Sequence, residues 1–283
     1  MIVFKKPDAL HDFLKQKRKI QTRIGFVPTM GALHSGHLSL IEKSKAQSGF
    51  TVCSIFVNPT QFNDPEDFAK YPVTPEMDIY QLEATGCDAV LIPSVQDIYP
   101  EGTSVARQYD IGFLETVLEG QYRPGHFQGV CRVMHRLLEI VLPDYLYLGQ
   151  KDYQQCMVIK KLLELIGLHE NTEVVICPTV REPGGLAMSS RNARLNEEER
   201  KRASAVSEAL RFIKENLEPG DISSFKSKAE QMLEEKEFSL DYIEIADAAS
   251  LSAVGNWDGK QKLVALAAVF LNKVRLIDNM LIN

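Results

Sequence analysis

The chain has 283 residues, 45% of them apolar and 25% charged, with a formal net charge of −6. That length suits one large domain or two unequal ones and buries enough surface to fold without crosslinks, and the composition excludes a disordered or fibrous chain. The acidic balance excludes a general grip on a nucleic-acid backbone, so no nucleic-acid partner is expected.

In chain order, Lys15-Gln-Lys17-Arg18-Lys19 reads as a solvated helix end. Arg23–Val27 is a strand candidate ended by Pro28, and Leu38–Ala46 reads as a helix. Thr51–Val57 and Ala89–Ile92 are β-branched runs, each ended at a proline turn. Tyr145–Leu148 is a fourth strand, followed by Gly149 and a helix from about Asp152 to Ile166; Val174–Ile176 is a fifth, stopped by Pro178. Short apolar runs between helices indicate βαβ units around a buried parallel sheet. After Pro178 the pattern changes. Thr179–Ala193 reads as a loop containing Gly184-Gly185. Asn196 with Glu199 forms a capping-box pattern opening one helix to about Asn216, and a second helix spans about Ser223 to Glu235. Leu240–Ile245, Leu263–Phe270 and Lys273–Ile277 are strand-like. The expected fold class is α/β: a Rossmann-like doubly wound parallel sheet over residues 1–178, with a smaller C-terminal α+β domain over 179–283 acting as a lid.

Five scattered cysteines (Cys53, Cys87, Cys131, Cys156 and Cys177) contain no C-x-x-C pair, which fits a reducing compartment and buried apolar thiols. The opening segment lacks the apolar core of a signal peptide, and the longest apolar run, Leu263 to Leu271, is far shorter than the ~20 residues of a membrane span. A cytoplasmic chain without a membrane partner is expected.

The chemistry concentrates in Pro28-Thr-Met30-Gly31-Ala32-Leu33-His34-Ser35-Gly36-His37, between the first strand and the first helix. In a doubly wound sheet this is the carboxyl end of a strand, where ligands bind. Glycines let the backbone approach a ligand, a helix N-terminus favours phosphate, and His34 and His37 share a helical face from which two imidazoles can donate to a polyphosphate. Gly31 and Gly36 have the P-loop glycine spacing, but His37-Leu38 stands where Lys-Ser/Thr is required, and no G-x-G-x-x-G is present. Bottom-up, the segment supports ATP-dependent chemistry at a helix N-terminus.

His34-Ser-Gly-His37 resembles the signature of the nucleotidyltransferase superfamily that includes class I aminoacyl-tRNA synthetases. Phe56-Val-Asn58-Pro-Thr-Gln61-Phe62, Arg123-Pro-Gly-His126-Phe-Gln-Gly-Val130, Gly149-Gln150-Lys151-Asp152-Tyr-Gln-Gln155 and Met188-Ser189-Ser190-Arg191-Asn192 follow in order. Together these five segments are similar to the pantoate–β-alanine ligase family. The resemblance implies an ATP-dependent ligase that uses Mg²⁺, adenylates pantoate, and passes the acyl group to β-alanine with release of AMP. It implies that Met30 to His37, Gly149 to Asp152, Val180 and Met188 to Arg191 surround ATP. His37, His34, Lys151 and Arg191 would then be catalytic, with His37 the family's proton donor. Gln61 and Gln155 would hold pantoate, and Gln61 would also lie near β-alanine. Lys151 fits a phosphate contact, and Asp152 a ribose hydroxyl or a helix cap. The resemblance puts Arg123 and His126 near the active site, where Arg123 would meet a carboxylate or phosphate; packing of a tight turn explains Pro124-Gly125 equally well. Asn58 is favoured as a substrate contact over a strand end. Gly184-Gly185 is expected to give a phosphate-gripping loop its flexibility. Asp78 is the carboxylate expected on the metal, and Asp88 is expected to be structural. The family is usually a homodimer. A transferase forming a dinucleotide, a class I tRNA synthetase and a non-catalytic nucleotide-binding module are the rivals; Gln61 and Gln155, with the chain's length and charge, argue against them.

Overall fold

The computed structural model describes residues 1–104 and 107–283. Eleven strands and eleven α-helices follow in order among these residues. Strands β1 (Ile2–Phe4), β2 (Ile24–Thr29), β3 (Phe50–Ile55), β4 (Ala89–Leu91), β5 (Tyr145–Gly149) and β6 (Glu173–Cys177) form one sheet in the order β1-β4-β3-β2-β5-β6. Every pairing in it is parallel. The chain winds one way from β2 through β3 to β4 and the other way through β5 to β6, which places a switch of winding between β2 and β5. The expected doubly wound sheet is present, and β1 is an addition to it.

The helices around this sheet are α1 (Pro7–Lys19), α2 (Ser35–Gln47), α3 (Pro65–Ala69), α4 (Pro75–Ala84), α5 (Val95–Ile98), α6 (Glu119–Tyr122), α7 (His126–Val141) and α8 (Tyr153–Leu165). Alternation along the strands divides the core in two. Ile24, Phe26, Val52, Leu146 and Leu148 pack with α1, α7 and α8. Val27, Cys53, Ile55 and Tyr147 pack with Leu40 and Ile41 of α2 and Leu82 of α4. Lys17, Arg18 and Lys19 fill the last turn of α1, where cations complement the helix dipole, and Arg18 donates to the carbonyls of Val141 and Leu142 at the end of α7.

The chain divides into two compact units: residues 1–149 with 154–178, and residues 150–153 with 179–283. The second unit contains α9 (Glu197–Ala203), α10 (Ala205–Asn216) and α11 (Ser223–Glu234). Its strands are β7 (Gly220–Asp221), β8 (Ser239–Asp247), β9 (Asn256–Trp257), β10 (Leu263–Leu271) and β11 (Val274–Leu281). Strands β11-β10-β8 form an antiparallel sheet and β7-β9 a two-stranded one. Asn196 and Glu199 make the expected reciprocal capping box. The single helix expected to follow breaks at Ser204, whose hydroxyl donates back to the Lys201 carbonyl and competes with the helical ladder. Gln150–Tyr153, expected in the first domain, belongs to the second unit because the buried Asn279 side chain binds the carbonyls of Gln150 and Lys151.

All five cysteines are buried in the first unit. Burial pushes the Cys53 and Cys177 thiols up, and those of Cys87 and Cys131 up to about 12. The single tryptophan, Trp257, lies in the second unit and donates its indole N–H to the Gln261 carbonyl at 2.9 Å. Among the described residues no helix is long and apolar enough to cross a membrane.

Candidate active site

In the first unit the site is built on the carboxyl ends of β2 and β3. Thr29 ends β2; its hydroxyl donates to the Ser54 carbonyl at 2.7 Å and accepts from the Gly31 N–H at 3.2 Å. The backbone then turns left-handed twice, at Gly31 (φ +80°) and Ala32 (φ +48°). A Cβ at Gly31 would meet Asp78 Oδ2 at 2.9 Å and Ile55 Cγ2 at 3.0 Å, so glycine serves both the turn and the close approach. Two successive left-handed residues need an external partner to hold them. That partner is Asp78, whose Oδ2 accepts from Ala32 N–H at 3.0 Å and whose Oδ1 accepts from Leu33 N–H at 2.8 Å. The Thr74 hydroxyl adds a third bond at 3.2 Å, and Asp78 is only 1% exposed.

The turn delivers His34 to the N-cap of α2 in extended geometry. Its carbonyl accepts from the N–H groups of His37 (2.8 Å) and Leu38 (3.1 Å). The imidazoles of His34 and His37 stack with centroids 4.0 Å apart and planes 28° apart. The first turn of α2 carries no acidic residue, so its N–H groups and partial positive charge suit an anion.

Gln61 is tied to this turn. Its Nε2 donates to Met30 Sδ at 3.1 Å and its Oε1 accepts from Asn58 Nδ2 at 3.0 Å. Asn58, expected to contact substrate, is 1% exposed and committed within the protein. Its Nδ2 also donates to the Gly129 carbonyl (3.2 Å), and its Oδ1 accepts from the Tyr99 hydroxyl (2.8 Å) and from Thr60. Its amide thereby holds the Gln61 side chain in place. The Gln61 carbonyl accepts from His126 Nδ1 at 2.8 Å, which fixes the proton of that buried imidazole on Nδ1 and leaves Nε2 to accept from Arg123 at 3.4 Å. Arg123 also donates to Asn63 Oδ1 at 3.2 Å and lies 3.8 Å from Glu119, while Gly125 at φ +79° makes the tight turn. The packing role of this segment is thus the one visible.

Gly129 of α7 lies against the Thr60 backbone, and an added Cβ would fall 2.1 Å from the Thr60 carbonyl oxygen. Gly129→Ala is therefore expected to cost about 1–3 kcal/mol, the usual range for overpacking, read as a lowered urea midpoint. Gln155, on α8, is half-buried, and among the described residues its amide makes no hydrogen bond. Its neighbour Gln154 is 3% exposed and wholly committed, donating to the carbonyls of Leu114 and Val117 and accepting from Glu119 N–H. Asp88, expected to be structural, accepts from Lys45 Nζ and from Thr51 N–H, each at 2.8 Å.

In the second unit, Gln150–Asp152 forms a 3₁₀ turn held by Asn279. Lys151 Nζ lies 3.6 Å from Asp152 Oδ1. Val180 and Met188 face each other, the Met188 N–H donating to the Val180 carbonyl at 2.9 Å, and Arg181 bridges to Ala187. Gly185 makes a turn in this loop. At φ +94° its N–H donates to the Glu182 carbonyl, and its own carbonyl accepts from Arg181 at 3.0 Å. Ser189 caps the 3₁₀ segment Ser190–Arg194 by accepting from Arg191 N–H at 3.3 Å.

Asp78, expected on the metal, has both oxygens turned to backbone N–H groups. Among the described residues no three His, Cys, Asp or Glu side chains gather into a metal cage.

The family model described as pantoate-beta-alanine ligase matches residues 2–281. A pantothenate synthetase of Porphyromonas gingivalis is 42% identical, the match covering 99% of this chain and 98% of that one. That of Caldicellulosiruptor bescii is 45% identical, with 100% and 99% covered. The crystal structure of a Thermus thermophilus pantothenate synthetase superposes with a TM-score of 0.90 at 38% identity, covering 99% of each chain. The Francisella tularensis pantoate-beta-alanine ligase, complexed with β,γ-ATP and β-alanine, superposes at 0.82 and 38% identity, covering 99% of this chain and 97% of that one.

Proposed function

The chain belongs to the pantoate–β-alanine ligase family, and from that premise we propose that it joins pantoate to β-alanine in two steps through a pantoyl-adenylate. A pantoate carboxylate oxygen attacks the α-phosphorus of ATP and diphosphate leaves. The β-alanine amine then attacks the acyl carbon, loses a proton, and AMP leaves. The first step gathers negative charge on the departing phosphates, and stabilising that charge is the protein's main task.

The observation that carries this reading is the stacked His34–His37 pair at the N-terminus of α2, on a turn that also binds Gln61. The histidines and the open N–H groups of Ser35 and Gly36 suit the phosphates of ATP. His37 donates a hydrogen bond to the leaving diphosphate. Met30 to Leu33, Gly149, Gln150, Val180 and Met188 are assigned to the nucleotide, Asp152 to its ribose, and Lys151, Ser189, Ser190 and Arg191 to its phosphates. A bound Mg²⁺ would neutralise phosphate charge. Gln61 and Gln155 hold pantoate through neutral amides that accept from its hydroxyls and donate to its carboxylate without repelling it. Gln61 also faces β-alanine. We further read the protein as a cytoplasmic homodimer, a state of association that sedimentation analysis tests directly.

Mass-spectrometric product analysis with ATP, Mg²⁺ and pantoate, with and without β-alanine, tests the reaction. Pantothenate and AMP with both substrates, and bound pantoyl-adenylate without β-alanine, are expected; folded protein giving no AMP in either case would overturn the reading. Gln155→Ala is expected to raise the KM for pantoate by about tenfold while leaving that for ATP unchanged, the loss of one or two hydrogen bonds. Equal losses for both substrates would remove Gln155 from the pantoate pocket.

A further inference from the structure

The polar cluster on β11 lies outside every motif that points to the reaction. Asp278 and Asn279 are consecutive strand residues, 4% and 2% exposed, paired with Ala267 and Leu266 of the wholly apolar strand β10. Burying such groups costs stability unless they are bonded, and well-packed apolar residues would serve the core as well. Their partners show what the cluster holds. Asn279 Nδ2 donates to the carbonyls of both Gln150 (2.9 Å) and Lys151 (2.8 Å), and its Oδ1 accepts from Gln150 Nε2 at 3.3 Å. Arg181 grips Asp278 with two bonds, 2.6 and 3.0 Å, while donating to the carbonyls of Gly185 (3.0 Å) and Asn279 (3.4 Å). Asp278 in turn accepts from the Asn279 N–H at 2.8 Å. One buried network thus fixes the backbone that presents Lys151 and, by the same guanidinium, the turn leading to Ser189–Arg191.

We propose that Asn279 and Arg181 are positioning residues for ATP: through Asn279 the carbonyls of Gln150 and Lys151, and through Arg181 the Gly185 turn, are held so that the two phosphate-binding segments of this unit keep a fixed spacing. The proposal rests on the assignment of Lys151 and Ser189–Arg191 to the phosphates. It adds that their geometry is set by a strand near the end of the chain. Asn279 touches no substrate; its effect passes through the backbone at Gln150 and Lys151.

Asn279→Ala and Asn279→Ser, the latter keeping a hydroxyl donor, are compared with Lys151→Ala and with the Lys151→Ala/Asn279→Ala double variant in the full-length protein. Asn279→Ala is expected to lower kcat/KM for ATP by about a hundredfold, the scale of an ångström misplacement, with Asn279→Ser in between. The KM values for pantoate and β-alanine stay unchanged. Once Lys151 is Ala, removing Asn279 has little further effect, whereas a merely structural residue gives independent losses. Faster amide exchange confined to residues 150–153 in Asn279→Ser reports the same loosening without any activity measurement. Wild-type ATP kinetics in folded Asn279 variants, equal losses for all three substrates, or independent effects in the double variant would each overturn the proposal. If Lys151→Ala itself leaves ATP kinetics untouched, the phosphate assignment falls and takes the proposal with it. A Lys151 effect without an Asn279 effect removes the proposal alone.

Discussion

His37→Ala is expected to leave the fold intact and to slow pantoate-dependent ATP–diphosphate exchange by at least about a hundredfold, the scale of losing one preorganised donor to a developing charge. The fold survives because α2 starts on backbone bonds from His37 and Leu38 to the His34 carbonyl, which an alanine keeps, and because alanine is the better helix former. What disappears is the ring stacked on His34 at 4.0 Å, and with it one of two imidazoles presented at the helix N-terminus. His34→Ala should have a smaller effect, since His37 keeps its place on the helix. An exchange rate near wild type in His37→Ala would remove that residue from the mechanism.

Asp78→Ala is expected to cost about 3 kcal/mol or more, because two backbone N–H groups lose a charged acceptor at a buried site and each such bond contributes about 1.5–3 kcal/mol. The urea midpoint reports the stability, and the KM for ATP should rise as the Gly31–Ala32 turn relaxes. Asp78→Asn separates this role from metal binding. An amide keeps one acceptor oxygen but sets its NH₂ against the other N–H, so stability and ATP affinity should fall together with an unchanged Mg²⁺ optimum. Full stability with a shifted Mg²⁺ requirement would make Asp78 a metal carboxylate.

The parallel sheet was legible in the chain because its strands are short apolar runs, with Pro93 and Pro178 following β4 and β6, although β2 runs on through Pro28, expected to end it, to Thr29; the capping box at Asn196 was legible because both of its partners are local. Helix α7 is not among the expected elements although its apolar residues recur at helical spacing, because the Arg123–Val130 motif overlaps only its first turns. A local reading likewise does not show the partners of Asn58 and Gly185. Their actual partners, Gly129 and Tyr99 for the one and Arg181 for the other, are set by tertiary packing or by a φ value that composition does not reveal. Asp78 lies 45 residues from Leu33, and Asn279 lies 128 from Lys151. No window along the chain joins either pair.

The distribution of thiols and indole makes the two units separately observable. All five cysteines lie buried in the first unit, and burial holds four of the thiols in the unreactive protonated form, so an alkylating reagent labels them only when that unit opens. Trp257 emission follows the second unit alone. Labelling rate and fluorescence, recorded along one urea series, therefore act as two independent clocks. Coincidence of the two curves means the chain unfolds as one cooperative body, and separation of the curves gives each unit its own free energy of opening without a mutation or an added probe.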